Sequence, residues 1–160
     1  DVAKRSSVAL GTLYARFSSK EDILVVALEQ ETQKLEALLD AHPIDRDTAL
    51  ERVQHFFSLA SRALFHRPNF ARAVLRAVAS GSATSQSEVM AYQERVTKLV
   101  VSAMQGQTQV IEGAETVAQL LEQIWFAVLI GWLGGRETES SVIEHMEWST
   151  AVVFNGVGIR

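Results

Sequence analysis

The sequence predicts an all-α fold on three observations. Apolar residues recur at three- and four-residue spacing, only two prolines interrupt the 160 residues, and Ala and Leu outweigh alternating β-branched runs. With 48% hydrophobic residues the chain can bury a sizeable core. It contains no cysteine, which removes disulfide frameworks and thiolate metal sites and suits a reducing, cytoplasmic setting.

The helices can be justified in order. Residues 9–17 form a short helix after a turn, with Leu10, Leu13 and Phe17 on one face. Ser19 then caps a helix whose third residue is Asp22 and which runs to about Asp40 through Ile23, Leu24, Leu28 and Leu35. "AHPID" stops it at Pro43. A helix from about Asp47 to His66 carries the stripe Leu50, Val53, Phe57, Ala60 and Leu64. Pro68 opens a shorter helix closed by Gly81. After the loop "SGSATSQS", Ser85 and Glu88 start a helix reaching about Met104. "QGQTQVIEG" is a second loop, and the last two helices span about Glu115–Gly134 and Ser140–Gly156.

The apolar run "IWFAVLIGWL" covers residues 124–133. A bilayer crossing needs roughly 20 such residues, so this run is read as a helix covered on more than one side, and no membrane partner is expected. No H-E-x-x-H, P-loop, dinucleotide or G-x-S-x-G pattern occurs. His55 and His66 share a helix face but stand roughly 16 Å apart along it, too far for one metal. Glu51 and His55 read as a surface pair. No enzyme activity, cofactor or metal site is expected.

Charge is unevenly placed. Lys4, Arg5, Arg16 and Lys20 against Asp1 give residues 1–20 a charge of +3, so the remaining 140 residues carry −7 to reach the net −4. A basic tip on an acidic body suits attraction to a polyanion. On the helix of residues 9–17, Thr12, Tyr14 and Arg16 project away from the docking face. They offer two hydroxyls and a guanidinium to base edges and phosphates, while Gly11 permits close backbone approach. Lys20 adds an ammonium where a helix start already favours anions. Such a layout describes a helix-turn-helix with a phosphate clamp, although a plain corner of a helical bundle fits the same residues.

This segment resembles the recognition end of the TetR family of one-component transcriptional regulators. Val2 and Ala3 stand at the family's I-A, Val8 at its Val, Gly11–Tyr14 at G-T-L-Y, and Phe17 with Ser19, Lys20 and Glu21 at F-x-S-K-E. Ser6 and Ser7 replace Ala-Gly, Ala9 replaces a capping Ser, and Arg16 replaces a common His. Losing that cap typically costs about 1 kcal/mol. The chain opens on Asp1 within a helical pattern, so a first helix is expected upstream. Residues 1–40 would then be the end of the DNA-binding part plus a connecting helix, and residues 41–160 a ligand-binding and dimerisation domain.

The resemblance implies a dimeric DNA-binding regulator, with double-stranded operator DNA, a small apolar effector and a second copy of the chain as its expected partners. Ala9, Leu10, Gly11, Thr12, Tyr14, Arg16 and Lys20 are the expected DNA-contacting positions. The expected cavity lining is Phe57, Leu64, Phe70, Val74, Val78, Tyr92, Val96, Val100, Trp125, Phe126 and Leu129, with Ser61, Gln93 and Thr97 orienting the ligand. Aromatic content favours a bulky apolar effector. Arg62, Arg67, Arg72 and Arg76 form either a solvated face or a dock for an anionic head group. Regulators of steroid and fatty-acid breakdown in actinobacteria are similar in layout near "FARAVLRAVASGSA". The expected dimer face takes Ala127, Gly131 and Gly135 as a small-residue seam, with Val142, Met146, Ser149 and Val153 from the last helix. A helical carrier that binds a ligand without DNA is the competing class.

Overall fold

The computed structural model describes residues 20–80, 86–106 and 110–159. Six helices lie among them: α1 (Lys20–Ala41), α2 (Ala49–Phe65), α3 (Pro68–Ser80), α4 (Gln86–Gln105), α5 (Ala114–Leu133) and α6 (Glu139–Val157). Each starts and stops within two residues of its expected position. Thr48, one residue beyond the expected start, caps α2 reciprocally with Glu51: its hydroxyl accepts from the Glu51 N–H at 3.1 Å and its own N–H donates to Glu51 Oε2 at 3.2 Å. Glu51 is therefore a capping residue, not the partner of His55. The same device, Thr138 with Ser141, opens α6.

Helix α2 is the spine. It packs on α6, α4 and α3, while α5 packs on α6 and α4. Its Val53, Phe56 and Phe57 are fully buried, facing Val100 and Met104 of α4, Leu121 and Leu129 of α5, and Met146 and Phe154 of α6 in one continuous core. Helix α1 stands apart from this spine and rests chiefly on α3 and α4.

Helix α5, at 20 residues twice the length of its apolar run, has the length and composition of a membrane span, yet only 33% of its apolar 18-residue window is buried. Seven of its residues, among them Ala118, Leu121, Trp125 and Leu129, belong to the domain core. Its apolar surface exceeds what one protomer covers. Beyond Leu133 the chain turns sharply: Gly135 adopts φ 72°, its N–H donates to the Trp132 carbonyl at 3.0 Å, and Arg136 N–H donates to the Gly131 carbonyl at 3.0 Å.

That turn corrects the expected small-residue seam. Gly135 lies outside the helix, and Gly131 is buried beneath its own chain's Glu137, whose Cγ stands 2.9 Å from where a Cβ would sit. Val142 and Met146 are corrected as well, since at 0% and 1% exposure both fill the protomer core. Ser149 and Val153 are half-buried and Ala127 is exposed. The outer stripes instead carry Leu120 on α5 and Trp148 and Val152 on α6, which are 45%, 67% and 47% exposed.

One side chain ties the loop before α2 to the end of α4. Arg52 donates to the carbonyls of Ala103 and Met104 at 2.8 and 2.9 Å, and to those of Arg46 and Asp47 at 3.1 and 3.2 Å. Gly106 turns away beside it at φ 60°, and a Cβ there would stand 3.2 Å from the guanidinium carbon. Arg52→Met is expected to lower folding stability by about 2–3 kcal/mol, because a charged donor leaves several carbonyls without a partner. Urea denaturation checks this, and a loss below about 0.5 kcal/mol, the range of an ordinary surface change, would contradict it.

Candidate functional site

A cavity of about 1120 Å³ opens between α3, α4 and α5, with Leu28 of α1 and Leu64 of α2 on its wall. Its size suits a bulky small molecule. Val74, Leu75 and Val78 of α3, Val96 of α4, and Trp125, Phe126 and Leu129 of α5 make the apolar part of the lining. Gln93, Lys98 and Ser102 of α4 and Gln119 and Gln123 of α5 give it a polar, exposed rim.

Nine expected lining residues border this cavity: Leu64, Val74, Val78, Tyr92, Gln93, Val96, Trp125, Phe126 and Leu129. Thr97 borders it too. Phe57, Ser61, Phe70 and Val100 do not. Phe57 and Val100 are at 0% exposure in the core, and Phe70 is half-buried outside the lining. Ser61 supports the wall from behind, its hydroxyl accepting the Trp125 indole N–H at 2.9 Å. Phe57 backs the same indole with ring centroids 5.6 Å apart. Trp125 is thus fixed in place before any guest arrives.

Sequence reasoning missed Glu122. It borders the cavity beside Tyr92 and Thr97, and its Oε1 is sealed from solvent without a hydrogen-bond partner. Burial raises its carboxyl from the ordinary 4.5 to about 7, an effect the Thr97 hydroxyl partly offsets. Burial also raises the Tyr92 phenol, and the neighbouring Glu122 raises it further. A signal was available: Ala118, Glu122, Trp125 and Leu129 fall at helical spacing on one face, so an acid interrupts an apolar stripe.

A carboxyl raised on folding favours the folded state while protonated. That advantage is complete below about pH 4.5 and disappears as pH rises through about 7. Glu122→Gln is therefore expected to match the parent at pH 4.5. At pH 8 it should exceed the parent by on the order of 1–2 kcal/mol, discounted for water reaching the rim. Denaturant midpoints across this pH range provide the check; parallel curves for the two proteins would refute it.

The four arginines near α3 lie off the cavity wall, and all are exposed. Arg67 bonds Glu31 of α1 at 3.0 Å. Lys34 foremost, and Arg67 with it, hold the Glu31 carboxyl below its usual range. On the other flank, Arg95 of α4 reaches Glu36 at 2.7 Å and Glu29 at 3.8 Å. Helix α1 is thereby tied to α4 and to the residue that precedes α3, two of the three helices that wall the cavity. Of the expected DNA-contacting positions, Ala9, Leu10, Gly11, Thr12, Tyr14 and Arg16 lie outside the described residues; Lys20 is the first residue of α1.

Residues 47–152 match the family profile described as tetracyclin repressor-like, C-terminal domain. Over 159 residues the chain is 32% identical to the HTH-type transcriptional repressor KstR of Rhodococcus jostii, covering 99% of this chain and 73% of that protein. It is 28% identical over 146 residues to the HTH-type transcriptional repressor KstR of Mycobacterium tuberculosis, covering 91% of this chain and 66% of that one. The crystal structure of a TetR transcriptional regulator from Rhodococcus sp. RHA1 superposes with a TM-score of 0.81 over 98% of this chain and 82% of that one, at 23% identity, and so shares the fold. Taken with the helical order, these matches establish that the chain belongs to the TetR family of transcriptional regulators.

Proposed function

We propose that this protein is a dimeric repressor that leaves a palindromic operator when a bulky apolar small molecule enters the cavity. The observation carrying this reading is that α1 rests on two of the three helices that wall the cavity, α3 and α4, and places its own buried Leu28 in the lining. A guest that separates those walls must shift α1, the helix leading back to residues 9–17. A ligand moves such an equilibrium only by its difference in affinity for the two states. The helix of residues 9–16 enters the major groove in this reading, with Thr12 and Tyr14 near bases or phosphates, Leu10 on a thymine methyl and Lys20 on the backbone.

The second copy covers the outer stripes of α5 and α6. Leu120, Ala127, Trp148 and Val152 provide that face, and α5's surplus apolar surface supports the assignment.

Arg95 is the joint between cavity and α1. Partly exposed pairs of this kind contribute little to static stability, so its role is to make the two helices move together. Native mass spectrometry of the full-length protein from its own host identifies a co-bound molecule. That molecule is then titrated against the protein on its own promoter DNA. Arg95→Gln is expected to keep operator binding while raising the concentration needed for release about fivefold. Equal affinity for promoter and scrambled DNA would remove the repressor reading and leave a ligand carrier. Unchanged release in Arg95→Gln would remove the joint.

A further inference from the structure

The wall of the cavity carries its own statement about the guest's head group. Among its described lining residues the charged side chains are Glu94 and Lys98 of α4 and Glu115 and Glu122 of α5. Lys98 is bonded to Glu94 at 2.7 Å at the exposed rim. The contributions of α1, α2 and α3 (Leu28, Leu64, Val74, Leu75, Val78 and Ala79) are all apolar. Lys98 is the one cation among the described lining residues and it is engaged by Glu94, while the arginines near α3 lie off the wall.

Glu122 is the polar group set among the apolar walls. A desolvated carboxyl with an unpartnered oxygen gains once a turn of its side chain presents that oxygen to a donor in the cavity, because the cost of leaving it unsatisfied is already present without a guest. Tyr92 and Thr97 on the facing helix border the same spot.

We propose that the effector is a bulky apolar molecule whose head is a hydrogen-bond donor, a hydroxyl or a protonated amine, received by Glu122, and that a free carboxylate is selected against. This rests on the cavity being the effector site. Because the Glu122 carboxyl sits at about 7 in the empty protein, an ammonium pulls it into the ionised form. Amine affinity therefore rises as pH passes through neutrality, while alcohol affinity changes less. Glu94, Lys98, Glu115 and Tyr92 are the other titratable groups of the wall.

The test displaces the neutral dye N-phenyl-1-naphthylamine from the full-length protein with decylamine, 1-decanol or decanoate. Amine and alcohol are expected to act at concentrations about tenfold below decanoate, the worth of one hydrogen bond to a charged group. In Glu122→Gln the three should converge, and the amine's pH dependence should vanish. The amine and alcohol arms distinguish a cationic from a neutral donor. Decanoate acting as well as the other two on the parent protein, or a gap that persists in Glu122→Gln, overturns the proposal. Dye binding left intact by Val78→Trp, which fills the apolar end, would instead place the dye elsewhere and overturn the cavity reading and the proposal together.

Discussion

Phe57→Ala is expected to lower folding stability by about 3–5 kcal/mol, the range for emptying a buried aromatic site. Phe57 is at 0% exposure, meets Phe56 edge-on at 5.4 Å between centroids, and lies against Trp125 at 5.6 Å. Helix α2 packs on α6, α4 and α3, and Phe57 itself meets α5 through Trp125, so little can collapse into the void. Trp125 would lose its backing and the cavity its rigid wall. Phe57→Leu, nearer in volume, should cost less than about 1.5 kcal/mol plus a small cavity term. Urea denaturation of both variants measures the difference, and a loss below about 1 kcal/mol for Phe57→Ala would mean that the core is looser than its burial implies.

Trp148→Glu is expected to split the dimer, weakening association by at least about a hundredfold. A central tryptophan contributes about 2 kcal/mol or more at an interface, and two-fold symmetry counts each such contact twice. Trp148 is 67% exposed in the isolated protomer, one helical turn from Val152 at 47%. The substitution touches nothing in the protomer core, so folding should hold while sedimentation velocity reports monomers. Operator affinity should fall with it, since each half-site alone is held by one reading head. A Trp148→Glu protein that sediments as the parent does would move the interface off this face.

Helix positions were legible in the sequence because periodicity, Pro68 and the capping residues act locally. Much of the cavity wall was legible for the same reason: apolar stripes on neighbouring helices must meet somewhere. Which stripe meets which is a matter of packing. Val142 and Met146 look as suitable for a partner subunit as for the protomer's own core, and hydrophobic pattern cannot separate those two destinations. Ser61 looked like a ligand-orienting hydroxyl until Trp125, 64 positions later, proved to donate to it. Glu122 sits in the most apolar helix, where sequence pattern alone places an acid toward solvent.

Arg52 has a mechanical consequence. It grips the carbonyls that end α4, where Gln105 and Gly106 form one extremity of the cavity. Helix α1 crosses the same helix at Arg95, ten residues away, or roughly 15 Å. A wall pinned at one end yields at the other. Under the proposed mechanism a guest does its work on α1, and the strength of that anchorage sets how little of its push is dissipated elsewhere.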